Sequence, residues 1–352
     1  MKLKTLIQEP IYRDVLNTLE QAAKDRNYIE VEPTPIVSSF WSTTFTPSSS
    51  EVFFRQIQAN KTSEAPIYVV QPCIRITDLP LAQDGWHLPL FHMLSCFNFQ
   101  VESLANEFLY FLNTLRDIVG VDFIEKIFFT VSPNQEKENF GMLFLEELGI
   151  SKSRIITCNG TANYQNLSLL TTDGVTASTL GPRIEMFIKS PTGDFFEFGT
   201  FLTLKARTDK NDWHSLFGFV VGVERISGIK NNSFNIYKLT EYEYWITNIS
   251  KMLDNSMANT SLGHKAISEV ISLFDALCSV SESMNTRENE ITSNRRTRNR
   301  GLSNHHRRIF NTLNALLKEL GIDFLVLLDI IQELNQESIE IPRELIIDLL
   351  GN

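Results

Sequence analysis

Between Pro66 and Lys205 one strand-like apolar run follows another, with too few helical stretches between them to serve as crossovers. Parallel neighbours need a long, usually helical connection, whereas antiparallel neighbours close with short loops. The run from Pro66 to Arg75 is followed by a polar loop at Thr77 to Gly85 and a second apolar run from Leu88 to Phe99, which reads as two strands joined by a loop. Lys126 to Val131, a short segment near 154 to 158, and stretches near 183 to 189 and 195 to 205 add further strands. The expected fold class is therefore α+β, an antiparallel sheet with peripheral helices rather than a doubly wound parallel sheet.

Helical spacing appears where the sheet needs cover. Tyr12, Val15, Leu16, Leu19 and Ala22 form one apolar stripe over 11 to 25. Leu104, Phe108, Phe111, Leu112, Leu115 and Ile118 form another, and a third helix is expected near 134 to 148. Tyr28 to Val31 reads as a strand stopped by Pro33 and Pro35, and residues 36 to 51, rich in Ser, Thr and aromatics, suit strand and loop better than helix. After about residue 235 the patterns become helical, at 242 to 253, 266 to 278, 309 to 320, 324 to 334 and 345 to 350. Two domains are expected, a mixed one over 1–235 and a smaller all-helical one over 236–352, with a polar, basic loop near 284–304.

Composition narrows the function. A chain of 352 residues with 43% hydrophobic content can bury a large core, and a net charge of −10 argues against a simple nucleic-acid-coating protein. Cys73, Cys96, Cys158 and Cys278 have no paired spacing, so neither a disulfide framework nor a zinc knuckle is indicated. The N-terminus lacks an apolar leader and no uncharged apolar run reaches transmembrane length, so a soluble, cytoplasmic protein with no membrane partner is expected. No glycine-rich phosphate loop of the P-loop or dinucleotide type is present.

Two arginines stand out because each closes an apolar strand signal: Arg75 in Gln71-Pro72-Cys73-Ile74-Arg75 and Arg225 in Gly222-Val223-Glu224-Arg225-Ile226. A guanidinium stays charged and its fork matches phosphate and carboxylate oxygens. A lone arginine at a strand end is more often a solvated or salt-bridged surface residue. The neighbouring runs shift that balance. Phe45-Thr46, Gln71 to Arg75, His87 to Phe99, Gly181-Pro182-Arg183-Ile184-Glu185 and Gly222 to Ile226 follow one another in the order and near the spacing of the alanyl-tRNA synthetase family. The chain resembles the N-terminal part of that class II synthetase family over about residues 40 to 226, and more weakly at Asn299-Arg300-Gly301 and His306-Arg307-Arg308-Ile309.

The resemblance implies ATP-dependent activation of an amino acid or related carboxylic acid, with ATP and Mg²⁺ as cofactors and no metal held by protein ligands alone. It implies that Arg75 contacts the α-phosphate and the activated carboxylate, and that Arg225 holds the γ-phosphate of a bent ATP. Phe91 and Phe97 lie in the region that walls the adenine, and which of them does so is left open; without the resemblance both are simply core residues. Glu224 either positions Mg²⁺ or ribose or is structural. His87 lines the nucleotide site in the same comparison, while His87 and His92, five residues apart on an apparent strand, are expected to face opposite ways and to be non-catalytic.

The departures are as informative. The family's aspartate that binds the alanine ammonium group is replaced in Gly218-Phe219-Val220-Val221-Gly222, and its pocket asparagine aligns with Thr200. The expected amino-acid pocket is thus Thr200, Gly218 and Gly222, with specificity altered away from alanine. The basic segment from Arg287 to Arg308 suits RNA phosphates, with Asn299, Arg300, Arg307 and Arg308 as contacts to a tRNA acceptor stem, or else is a solvated loop. The resemblance implies no editing domain within these residues. Transfer to tRNA is the leading expectation, with transfer to a carrier protein or metabolite, or a non-catalytic binding paralogue, as alternatives.

Overall fold

The computed structural model describes residues 10–36, 40, 45–59, 61–62, 65–75, 78, 81, 84–133, 141–158, 163–171, 174–208 and 212–239, and scattered positions between 243 and 327. The nine strands described are β1 (Ile29–Glu30), β2 (Ile67–Ile74), β3 (Leu90–Asn98), β4 (Ile127–Val131), β5 (Ile155–Thr157), β6 (Tyr164–Leu170), β7 (Thr176–Lys189), β8 (Phe195–Thr208) and β9 (His214–Gly222). They form one sheet in the order β1-β2-β3-β9-β8-β7-β4-β5, with β6 paired to β7. Only β1 with β2 and β4 with β5 run parallel among the described pairs, so the α+β, mainly antiparallel expectation describes this sheet.

Period-two alternation decides what each face carries. On one face, Tyr68 and Ile74 of β2, Leu94 and Cys96 of β3 and Phe219 and Val221 of β9 join a single apolar cluster. That face is covered by α1 (Pro10–Asp25), α3 (Leu104–Val119) and α6 (Val223–Lys230). The stripe on α1 buries Tyr12, Val15 and Leu19, and α3 sets Phe111 on Phe219 with ring centroids 4.4 Å apart. Offset aromatic pairs of this kind add about 0.5–1.5 kcal/mol beyond the area they bury.

The other face is covered at one end only. There α2 (Ser50–Gln58) lays Val52, Phe53, Phe54 and Ile57 over Phe97, Leu202, Leu204 and Leu216. Residues up to 51 read in the sequence as strand and loop, yet helix begins at Ser50, because Val52, Phe53 and Ile57 supply an apolar face that fits this end of the sheet. The opposite end of the same face has no helix laid on it among the described residues, and the functional side chains collect there.

Two short helices, α4 (Phe123–Lys126) and α5 (Met142–Glu147), complete the set; α5 falls inside the expected helix near 134 to 148, of which 134–140 lie outside the described residues. Most described positions beyond 239 are helical, and Ile249, Ile267, Val270, Leu313 and Leu317 are buried in the same apolar cluster as α1 and α3. The expected basic loop near 284–304, Cys278, Asn299, Arg300, Arg307 and Arg308 lie outside the described residues.

Candidate active site

A cavity of about 370 Å³ opens on the uncovered end of the sheet, floored by β3, β7, β8 and β9. Arg75 follows directly on β2, where it continues the alternation of Val69, Gln71 and Cys73 onto the cavity side. Its backbone N–H donates to the Pro89 carbonyl, its Nε donates to the Pro47 carbonyl at 2.9 Å, and its guanidinium lies 5.0 Å from the Phe91 ring centre. Asp78 approaches at 3.9 Å. Such bonds fix the stem of the side chain while leaving terminal nitrogens toward the cavity.

Arg225 does not end a strand. It is the third residue of α6, which begins directly after Gly222 of β9, and the sequence reading that placed it at a strand end is corrected by one turn of helix. A Cβ at Gly222 would make only ordinary van der Waals contact with the Arg225 side chain, 3.4 Å from its Cδ. The Arg225 guanidinium donates to the Glu197 carbonyl at 2.9 Å and to its carboxylate at 2.6 Å, and it faces the Trp86 ring at 5.9 Å. Arg75 and Arg225, far apart in sequence, line the same cavity, each beside an aromatic face.

Phe91, Thr200, Gly222 and Glu224 also line this cavity. Thr200 points its hydroxyl back at the Ile184 carbonyl, 3.1 Å away. Glu224 is almost wholly buried and holds the backbone N–H and ring Nδ1 of His92. Its charge, after burial itself, helps push the Tyr12 hydroxyl well above the ordinary tyrosine value. His92 thus faces the helix-covered side of the sheet, as the alternation of β3 requires.

Phe97, Gly218 and His87 are not among the cavity-lining residues. Phe97 shares the face of Phe91 but lies under α2, edge-on to Phe53 at 5.1 Å. Gly218 sits beside it, and a Cβ there would meet Leu202 Cδ1 at 2.9 Å and Phe97 at 3.3 Å, so neighbouring side chains already fill the space above that glycine. His87 precedes β3 in a turn, where Nδ1 meets the Asp84 carboxylate at 2.6 Å. Burial raises the Asp84 carboxyl, but hydrogen bonds from the His87 ring and from the Trp86 and His87 amides outweigh it and hold the group below its ordinary range.

Arg183 and Glu185 of β7, Glu197 of β8 and Trp86 line the cavity and were assigned no role from the sequence. The signal for the β7 pair was present in the alternation Arg183, Glu185, Phe187, which puts all three on one face. Burial pushes the Glu185 carboxyl upward; Arg183 pulls it back and the charge of Glu197 pushes it further up. Burial pushes the Cys73 thiol up to about 12, although the nearby Arg75 charge pulls it down. Three guanidinium groups and four carboxylates therefore meet around one cavity walled by Trp86, Phe91 and Phe187. That mixture can bind an anion and a cation side by side, with a flat apolar group between aromatic walls.

No family model and no curated protein matches this sequence. Among solved structures the chain is similar to the RNA-binding domain of threonyl-tRNA synthetase from Cryptosporidium parvum Iowa II, with 13% identity and a TM-score of 0.42 over 62% of this chain and 64% of that one. It is also similar to Entamoeba histolytica asparaginyl-tRNA synthetase in complex with asparaginyl-adenylate, with 13% identity and a TM-score of 0.41 over 66% of this chain and 65% of that one. A further structure of that asparaginyl enzyme gives 11% identity and a TM-score of 0.41 over 66% of each chain. The chain spans 64 to 66% of the length of these three. Among the described residues no helix is long and apolar enough to cross a membrane.

Proposed function

We propose that the protein activates an amino acid with ATP, forming an aminoacyl adenylate, in the manner of class II synthetases. The observation that carries this is the placing of Arg75 and Arg225 on one cavity of about 370 Å³, each paired with an aromatic face. In the reaction a carboxylate oxygen bonds to the α-phosphorus, the bond to the bridging oxygen breaks, and pyrophosphate leaves. Negative charge gathers on phosphate oxygens, so fixed cations in a partly desolvated cleft provide most of the assistance.

Arg75 takes the α-phosphate and the reacting carboxylate, and Arg225 takes the far phosphate in exchange for the Glu197 carboxylate it holds at 2.6 Å. Phe91 and Trp86 wall the adenine side. Mg²⁺ would be carried mainly on the phosphates, and Glu197, 38% exposed beside Arg225, would offer it a protein oxygen. When bound, the ion neutralises phosphate charge.

Transfer of the acyl group to the acceptor stem of a tRNA is the second half of this proposal, with residues 236–352 as an RNA-facing helical part and Asn299, Arg300, Arg307 and Arg308 as its contacts. Amino-acid-dependent exchange of pyrophosphate into ATP tests the first half, with Arg75→Ala and Arg225→Ala as controls. Exchange that is lost in both variants supports it; no exchange with any acid and no ATP binding overturns it. Retention of labelled amino acid on total tRNA, against release to a carrier protein or small acceptor, tests the second half.

A further inference from the structure

A substrate held at the reacting carboxylate by Arg75 carries a second charge when it is an amino acid, and a buried ammonium group requires an anion. Four carboxylates line the cavity: Asp78, Glu185, Glu197 and Glu224. Glu224 is tied to the fold through one oxygen, which takes both the amide and the ring of His92, and its side chain is 1% exposed; its other oxygen, Oε2, is buried with no hydrogen-bond partner among the described residues. Glu197 is bound at 2.6 Å to Arg225, at the phosphate end of the proposed site. Asp78 lies in the loop after β2 and faces Arg75.

Glu185 differs from all three. It stands on the open face of β7, directly across from Thr200 on β8, which in turn lies across from Val220 on β9, and all three line the cavity floor. Its ion pair is with Arg183 on its own strand, at 3.1 Å, and its side chain is 22% exposed. Gly218 offers no charge and is covered by Phe97 and Leu202, so no anion comes from that part of β9.

Resting on the activation reading above, we infer that Glu185 anchors the α-ammonium group, which makes the substrate class α-amino acids rather than simple carboxylic acids. The surroundings agree with this. Burial and the charge of Glu197 both work against an ionised Glu185, Arg183 offsets them only in part, and an arriving cation adds to that offset. Thr200, its cross-strand neighbour, adds a hydroxyl oxygen on the same floor.

The test is Glu185→Gln, with Glu185→Asp as a variant that keeps the charge, in the exchange assay against an amino acid and its 2-hydroxy analogue. The wild type is expected to discriminate strongly against the hydroxy acid. Glu185→Gln is expected to raise KM for the amino acid roughly 10- to 100-fold, the usual worth of one charge-assisted hydrogen bond, and to narrow that discrimination. KM for ATP is expected to stay the same, and Glu185→Asp to restore part of the loss. Exchange in the wild type with full discrimination retained in Glu185→Gln overturns the anchor alone. An increased KM for ATP or an altered Mg²⁺ requirement overturns it in favour of a nucleotide-side role. Absence of exchange with every acid in the wild type overturns the activation reading and the anchor together.

Discussion

The Glu224 carboxylate accepts a hydrogen bond from the His92 backbone N–H at 2.8 Å and meets the Nδ1 of the same residue at 2.9 Å. A carboxylate only accepts, so the ring proton belongs on Nδ1. The pair ties the first turn of α6 to β3, and Arg225 is the next residue along that turn. Glu224→Ala leaves a buried amide and ring nitrogen without their acceptor, at a cost of about 2–4 kcal/mol. Thermal or denaturant unfolding reads this directly. Glu224→Gln keeps one acceptor oxygen and is expected to lose about half as much. Unchanged melting in the alanine variant would show that the tie contributes nothing.

Arg225 donates through one nitrogen to both the carbonyl and the carboxylate of Glu197. A lysine retains the charge but not the planar fork. Arg225→Lys is therefore expected to reduce kcat/KM for pyrophosphate exchange by roughly 100-fold and Arg225→Ala by more, with melting temperatures near that of the wild type. Equal exchange in the lysine variant would mean that only charge matters at this position.

The sheet was legible in the sequence because its strands are apolar on at least one face, and the α1 and α3 stripes marked what covers it. Local pattern failed where tertiary context decides. The seven residues of β6 carry no clean alternation and pair only along one edge of β7, so nothing in their own composition announced a strand. The start of α6 was hidden because Val223 and Ile226 continue the apolar run of β9 before the period changes. At the site, Arg75 and Arg225 could be found as charges closing apolar runs. Phe97 and Gly218 could not be placed without knowing that α2 covers their end of the sheet, since a one-dimensional pattern gives the face of a residue but not what lies above it.

Gly181 is held at φ +150°, and a Cβ on it would lie 2.3 Å from the Thr203 carbonyl oxygen and 3.0 Å from Leu204 Cα. Both contacts are backbone on the adjacent strand, which cannot turn aside as a side chain would. Gly181→Ala is expected to cost about 2 kcal/mol or more, combining overpacking with an unfavourable backbone angle. Because Arg183 and Glu185 lie just beyond on the same strand, the loss should extend to the site, read as weaker substrate binding in whatever folded protein remains.

Glu185 offers a prediction in which stability and function move in opposite directions. Its carboxyl is raised above the ordinary 4.5 chiefly by burial, lowered in part by Arg183 and raised again by Glu197. The folded chain therefore holds this proton more tightly than the unfolded chain does. The contribution of Glu185 to wild-type stability accordingly falls as pH rises from about the unfolded value through the higher folded one, then levels off. Below about pH 4 both states carry the proton and the carboxyl contributes no difference. Glu185→Gln has no proton to lose, so it is expected to match the wild type near pH 4 and to be the more stable of the two near pH 7, as measured by denaturant midpoints across that range. A saturating amino acid with ATP should reverse the order at neutral pH, because only the ionised carboxylate gains from the ammonium group. A variant less stable than the wild type at every pH, with no reversal by substrate, would mean that the Arg183 pair outweighs the burial of Glu185 and that its charge is structural.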